Sequence, residues 1–307
     1  MENNFEGMET RKIIKMTRHK AELPLRIIAI ALSCIIFILI GFVAQAAQND
    51  VAVQEELATM LEGEDESTAA IAETIVALGI GCSIVMIGGL ALVLLFAFYK
   101  QYAQIMSYSI KVTPTNFPEI YEKGKEFTEK LGLKKMPEIY VEQDNGALNA
   151  FATYVIGKRY VKLNAEIVDV AYLENKDFDT VFFVMAHEFG HIYLHHVTLL
   201  YNLFVSVAKA IPIYGPLLSR AQEFSADRVG QALTDNKNSE KCMVLMAGGR
   251  HLYKYIDIND YLASAAANHN ALERFSRFIV NLLASHPITP FRTAAIMDPD
   301  RKSGRLL

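Results

Sequence analysis

The distribution of apolar residues predicts two long helices in the first third of the chain. Residues 25–46 are apolar almost throughout, and residues 75–99 carry no charged side chain. Each stretch is long enough to cross the hydrocarbon core of a bilayer, which takes about 20 helical residues. We therefore predict two transmembrane helices, at 25–46 and 75–99. A signal peptide is the alternative for the first, because Ala44-Gln45-Ala46 resembles a cleavage site, but the apolar run is longer than a usual signal core.

From residue 100 onward, the apolar residues follow the shorter patterns that are typical of one globular domain. Alternating positions predict strands at 138–143, 148–155 and 160–163, with a turn at 156–159, and hence a small antiparallel sheet. Helical periodicity predicts the other elements, at about 119–131, 165–173, 179–198, 217–236, 238–255 and 270–284. The expected fold class is α+β and mostly helical, with two N-terminal transmembrane helices followed by a domain of residues 100–307.

Charged residues predict how the chain lies across the membrane. The tail of residues 1–24 carries five Lys or Arg residues, whereas the loop of residues 47–74 has eight acidic residues and no Lys or Arg. Basic segments tend to remain in the cytoplasm, so the tail and the domain of residues 100–307 are expected there, with the acidic loop outside. The predicted localisation is the cell membrane, as a multi-pass protein whose main domain faces the cytoplasm.

Composition excludes some classes of function. The net charge of −4 comes largely from the acidic loop, and no basic stripe with interleaved aromatic residues occurs, so nucleic acid is not an expected partner. The lipid bilayer is an expected partner, because of the two predicted spans. The three cysteines, Cys34, Cys82 and Cys242, are far apart in sequence and away from any His motif, which predicts neither a disulfide framework nor a cysteine zinc site.

The sequence His187-Glu188-Phe189-Gly190-His191 is the strongest indication of chemistry. It follows an apolar run at 181–186, which predicts a buried helix, and charged residues on a buried helix need partners. Two imidazoles four residues apart share one face of a helix, so both can bind one metal ion. Glu188 lies beside them, where it can accept a proton from a water molecule. This is the HExxH arrangement that is typical of zinc peptidases.

The third ligand distinguishes the classes of zinc peptidase. A third His at the end of an extended motif would require Gly and His at positions 194 and 197, but these are Leu194 and Val197. On the next predicted helix, Glu223 and Asp227 lie one turn apart. Glu223 would complete a site of two His and one Glu, and Asp227 is placed to accept the free N–H of a ligand His. The alternative is a solvated acidic face that pairs with neighbouring arginines.

Two more histidines follow the motif. His195 continues the stripe of His187 and His191, but a straight helix moves away from a single ion by its third turn. We expect a capping or supporting polar role for it. His196 points off that stripe and is expected to be exposed.

Three motifs in order resemble the HtpX-type membrane zinc metallopeptidases, a gluzincin family that also includes the CAAX prenyl proteases. They are the HEFGH motif, Ser219-Arg220 followed by Glu223 and Asp227, and Ser285-His286-Pro287 followed by Arg292. The resemblance covers roughly residues 115–297, and the two predicted spans upstream are in keeping with it.

The resemblance implies a zincin-like peptidase domain with one Zn²⁺ per chain. It implies that His187, His191 and Glu223 are the zinc ligands, that Glu188 is the catalytic base and that Asp227 supports a ligand from behind.

The resemblance also assigns residues to the substrate. His286 and Arg292 would lie near the cleft and contact the substrate backbone or the oxyanion. Asn149, Ala150 and Phe151 would form an edge strand along which the peptide lies. The alternatives are a helix terminus at His286-Pro287, a surface ion pair at Arg292 and an ordinary strand or turn residue at Asn149.

The apolar segment 199–218 is not expected to cross the membrane. A single crossing would place Glu223 and His187 on opposite sides, and two crossings need about 40 residues, whereas only 31 separate His191 from Glu223. We expect a helix and a Pro/Gly-rich turn that line the cleft or lie against the bilayer.

The predicted function is that of a zinc metalloendopeptidase that cleaves protein or peptide substrates, in membrane-protein quality control. Prenylated peptides are less expected, because two spans cannot build the enclosed chamber of the CAAX branch. One alternative is a catalytically silent, zinc-binding regulatory module of the membrane, although the presence of Glu188 argues against it. The other is a membrane scaffold with an accidental HExxH sequence.

Overall fold

The computed structural model describes residues 9–48, 92, 95–143, 150–155, 157–174, 176–235, 238–267, 270–298 and 304–306. The chain forms two compact units, one of Met1–Ile30 with Gln104–Leu307 and the other of Ala31–Ala103. Nearly all of the predicted acidic loop and most of the predicted span at 75–99 lie outside the described residues, as does Asn149.

The first predicted span, 25–46, lies within helix α2 (Glu22–Gln48), whose side chains are described as far as residue 36. Across the described part of the chain, no helix is both long enough and apolar enough to cross a membrane. Both spans therefore stay predictions.

The structure is mostly helical, as the sequence predicted. Besides α2, the described helices are α1 (Thr10–Thr17), α3 (95–108), α4 (Pro118–Leu131), α5 (Ala165–Asp169), which continues as a π-helix (Val170–Glu174), α6 (Phe178–Tyr193), α7 (Leu199–Ala210), α8 (Tyr214–Leu233), α9 (Ser239–Leu252), α10 (Ile258–Ala266), α11 (Ala271–Leu283) and α12 (Thr289–Ile296). The short helices α1, α10 and α12 were not predicted. In the segment 199–218, α7 is only 12 residues long and is followed by a turn.

The sheet is mixed, which corrects the prediction of a wholly antiparallel one. Its strands are β1 (Ile110–Lys111), β2 (Glu138–Glu142), β3 (Ala150–Val155) and β4 (Lys158–Asn164), in the order β1-β2-β4-β3. The predicted turn joins β3 and β4 as an antiparallel hairpin at Gly157, where φ is 81°. Since β3 reverses the chain before β4 begins, β4 enters between β3 and β2 and runs parallel to β2. Strand β3 is left at the edge of the sheet.

Helix α6 lies at the centre of the first unit. Its residues from Phe183 to Gly190 are all buried, as predicted from their apolar neighbours, and it packs against α8, α4 and β3. Its first turn is capped by the Asp177 side chain, which accepts from the amide of Asp179 at 3.2 Å. The N-terminal helix α1 also contributes Ile13 and Ile14 to this core. The tail ahead of α2 is therefore part of the domain that holds the HExxH helix.

Candidate metal centre

Helices α6 and α8 meet closely at Gly190, the fourth residue of the HEFGH sequence. A Cβ atom built on Gly190 would lie 2.9 Å from the Cβ of Val229 and 3.2 Å from both the Cα and the carbonyl oxygen of Ala226. These distances are shorter than ordinary carbon contacts of about 3.5–4.0 Å. Only glycine permits this approach, and the approach brings the polar residues of α8 within reach of the two imidazoles of α6.

Three side chains converge where the helices meet. The Nε2 atoms of His187 and His191 are 3.1 Å apart, and they lie 3.5 Å and 3.4 Å from the two carboxylate oxygens of Glu223. Ligand atoms held at about 2.0–2.1 Å from a tetrahedral zinc ion lie about 3.4 Å from one another. Each of the three separations is close to this value, one ligand atom from each residue lies within 4.8 Å of the others, and the donor set of two imidazoles and one carboxylate fits zinc.

Asp227 supports His187 from behind. Its Oδ1 atom is 2.8 Å from the Nδ1 atom of His187, so Nδ1–H donates to the carboxylate, and Nε2 faces Glu223, where it can release its proton to bind a metal ion. Arg292 donates two hydrogen bonds to the same carboxylate, from Nε to Oδ2 at 2.9 Å and from Nη2 to Oδ1 at 2.6 Å. Burial alone would raise the pKa of Asp227, but Arg292 and His187 hold it below its ordinary value.

The electrostatics of the cluster favour a cation. Burial would raise the pKa of Glu223, yet contacts with His187, His191 and His286 bring it well below its usual range. Burial would likewise lower the pKa of His187, but Asp227 and Glu223 raise it to about 10. Two buried carboxylates face one guanidinium here, so the centre attracts further positive charge, from protons or from a metal ion.

Glu188 and both ligand histidines line one cleft with a volume of about 370 Å³. Ala150, Phe151 and Ala152 of the edge strand β3 line the same cleft, so the predicted substrate strand lies beside the predicted base. Phe183, Met243 and Met246 make another part of the wall apolar. Cys242 also lines the cleft, although it is 55 residues from His187 in sequence.

The late motif reaches the centre as well. The Nδ1 atom of His286 is 3.1 Å from Glu223, while 68% of its side chain is exposed. The buried Arg220, one turn before Glu223, donates to the carbonyl oxygens of Asn281 and Ala284 at 2.5 and 2.6 Å. Arg220 thus binds the C-terminal end of α11 just ahead of His286. The alternative of a solvated acidic face is wrong, because Glu223 is 7% and Asp227 only 2% exposed.

The prediction for His196 was wrong. Its ring is buried, with its Nδ1 atom 2.9 Å from that of His191 and its Nε2 atom 3.0 Å from Glu22. His195 is the exposed one, with a φ of 62° at the end of α6. No periodicity signals the contact with Glu22, which lies 174 residues earlier; the only local signal is a histidine just beyond a helix end.

Comparison with known proteins gives one match. The family model described as Peptidase family M48 matches residues 114–215 and 198–300, which is more than half of the chain. Neither a curated protein nor a solved structure matches. The matched residues include the HEFGH helix, Glu223, Asp227, His286 and Arg292. The chain belongs to peptidase family M48, a family of metallopeptidases of the HtpX and Ste24 type.

Proposed function

We propose that this protein is a membrane-anchored, zinc-dependent endopeptidase that hydrolyses peptide bonds of protein substrates. The observation that carries the proposal is the spacing of the ligand atoms of His187, His191 and Glu223 at 3.1–3.5 Å, in the cleft that Glu188 lines. A structural zinc site is usually closed by four protein ligands, whereas three ligands beside an open cleft suit catalysis.

Glu188 is proposed as the general base. When bound, zinc lowers the pKa of a water molecule and polarises the scissile carbonyl group. Glu188 is 6% exposed and lines the cleft, where it accepts the proton of the attacking water and passes it to the leaving amine. His187 is held in one orientation by Asp227, so its ligand nitrogen needs no rearrangement.

His286 and Arg292 suit different tasks. The exposed side chain of His286 can reach a substrate carbonyl and stabilise the negative charge that develops there. The guanidinium of Arg292 is occupied by two hydrogen bonds to Asp227 and is only 16% exposed. We therefore propose His286 for the oxyanion and Arg292 for holding Asp227.

The edge strand β3 is proposed to bind the substrate backbone. An extended peptide can add to the outer strand of a sheet through main-chain hydrogen bonds, which hold any sequence. Ala150 and Phe151 lie on β3 and line the cleft, and Asn149 directly precedes the strand. This mode of binding suits an endopeptidase with many protein substrates.

A cytoplasmic active site is supported by the packing of the tail. The backbone N–H of His19 donates to the hydroxyl oxygen of Ser225 at 3.1 Å, and α1 packs against α8. Because they pack together, residues 9–24 and the peptidase domain must lie on the same side of a membrane. An even number of crossings between them, such as the two predicted spans, meets this condition. The basic tail favours the cytoplasmic side. We propose damaged or misassembled membrane proteins as substrates.

The test is cleavage by the full chain and by its Glu188→Gln variant. The variant should bind one zinc ion like the wild type and should not cleave casein, because it lacks the base. Proteolysis by the variant would refute the mechanism, and failure of the zinc-loaded wild type to cleave would favour the silent regulatory module. Proteomic comparison of membranes that carry either form would then identify the substrates, which should accumulate with Glu188→Gln.

A further inference from the structure

We propose that His196 and Glu22 are positioning residues of the metal centre, which hold the ring of His191 so that its Nε2 atom faces the metal. This inference rests on the metal site of the proposed function. It assigns a role at that site to the first residue of α2, which lies more than 160 residues before the ligands in sequence.

The end of α6 turns His196 back towards the site. The amide of His196 donates to the carbonyl oxygen of His191 at 2.9 Å, and the amide of His195 donates to that of Ile192 at 3.2 Å. With His195 in the left-handed region, this is a Schellman arrangement, which ends a helix and reverses the chain. The reversal places the His196 ring edge-to-face with that of His191, with centroids 5.1 Å apart and an angle of 66° between the ring planes.

The hydrogen bonds determine where each proton lies. If the Nε2 atom of His191 is to bind a metal, its Nδ1 atom must carry the hydrogen and donate to Nδ1 of His196. His196 then carries its own hydrogen on Nε2, which donates to Glu22 at 3.0 Å. One assignment therefore satisfies both rings, and it is the assignment that leaves the Nε2 lone pair of His191 free for a metal ion. Asp227 orients the ring of His187 in the same way, but through one direct hydrogen bond from Nδ1 to its carboxylate.

The carboxylate of Glu22 is itself fixed. Its side chain is fully buried and accepts from Arg18 Nε at 2.8 Å as well as from His196. Arg26, one turn further along α2, donates to the carbonyl oxygen of Leu194 at 3.0 Å, at the same end of α6. Two side chains of one helix thus bind the end of the helix that carries the HExxH motif. Glu22 is thus held by Arg18 while it accepts from His196, which fixes the orientation of the His196 ring.

The experiment measures the affinity of the full chain for Zn²⁺ by competition with a chelator, together with the folded fraction by circular dichroism. The His196→Ala variant should bind zinc about 10–100-fold more weakly than the wild type, which is the usual cost of removing a group that orients a ligand. The His196→Gln variant should recover most of the affinity, because its amide can accept from His191 and donate to Glu22. The matched control is His195→Asn, which alters the exposed neighbour, tolerates the left-handed backbone and should bind like the wild type.

A purely structural role of His196 would be shown if folded His196→Ala bound zinc with wild-type affinity, or if His196→Gln were as weak as His196→Ala. Either result overturns the proposal. The absorption bands of bound Co²⁺ provide a second readout, since they should shift in His196→Ala and not in His195→Asn. Should His196→Ala fail to fold, Glu22→Gln replaces it: its loss of charge should weaken zinc binding about tenfold, and wild-type affinity would overturn the proposal.

Failure of the proposed function would look different. If the wild type bound no zinc, the metal site itself would be refuted. If the wild type bound zinc but cleaved nothing, the peptidase activity would be refuted while the effect of His196 on affinity could still be measured.

Discussion

Replacement of Gly190 by alanine should damage both the fold and the metal centre. The new Cβ would lie 2.9 Å from the Cβ of Val229, which cannot move without the backbone of α8. To reach an ordinary carbon contact, the two helices must separate by roughly 0.6–1 Å. Overpacking of this kind costs about 1–3 kcal/mol in the free energy of unfolding.

The same movement separates the ligands. Glu223 lies on α8 and the two imidazoles lie on α6, so the distances of 3.5 and 3.4 Å between them would lengthen by a similar amount. Metal sites tolerate deviations of only about 0.2 Å in ligand distances. We therefore expect Gly190→Ala to lose zinc affinity by at least about tenfold, which chelator competition can measure beside urea unfolding.

Gly230→Ala is the matched control. It lies on the same helix pair, but its Cβ would meet the ring of Phe183, at 3.0 Å from Cε2, and a ring can shift without the backbone. This variant should lose stability and keep its zinc affinity. If Gly190→Ala bound zinc as tightly as Gly230→Ala, the argument that the helix contact sets the ligand geometry would be refuted.

Three further predictions concern groups around the centre. Arg220→Met should lower the free energy of unfolding in urea by about 1.5–3 kcal/mol, because it removes charged hydrogen bonds to the end of α11. Asp227→Asn should cost about 3 kcal/mol at neutral pH, since Arg292 loses the nearer of its two buried carboxylates, the one that accepts two of its hydrogen bonds. The lowered pKa of Asp227 means that the advantage of the wild type over this variant is complete above about pH 4 and disappears on further acidification; a constant difference would contradict it. Burial raises the pKa of Cys242 to about 12, so its thiol should resist alkylation at pH 8 until urea unfolds the chain, as peptide mass spectrometry can show.

The part of the site that the sequence predicts is the part that a single helix determines. His187 and His191 share a face because they are four residues apart, and no tertiary information is needed to see it. The third ligand, Glu223, lies on a second helix. It was predicted from its spacing to Asp227 and from the order of the three motifs along the chain. The structure brings these residues together as the metal cluster, and its donor atoms all lie within 4.8 Å of one another.

The features that escaped prediction depend on contacts that are distant in sequence. The pairing of β2 with β4 is parallel because β3 forms a hairpin first, and alternation alone does not reveal which strands become neighbours. His196 was misplaced because helical periodicity was extended through a residue, His195, at which the backbone turns left-handed. The role of Gly190 follows from what α8 places against it, not from the helix on which it lies.

The tail that packs on α8 also sets the order in which the protein can be completed during synthesis. His19 contacts Ser225, 206 residues later, and its ring nitrogen contacts the carbonyl oxygen of Gly304, 285 residues later. A ribosome releases residues 9–24 long before their binding surface exists, and the two predicted spans are made in between. The peptidase domain therefore cannot finish folding as its own residues emerge, because the tail can pack only after Ser225 and Gly304 have been synthesised. For an enzyme that would cleave other proteins, this delays assembly of the active site until nearly the whole chain has been made.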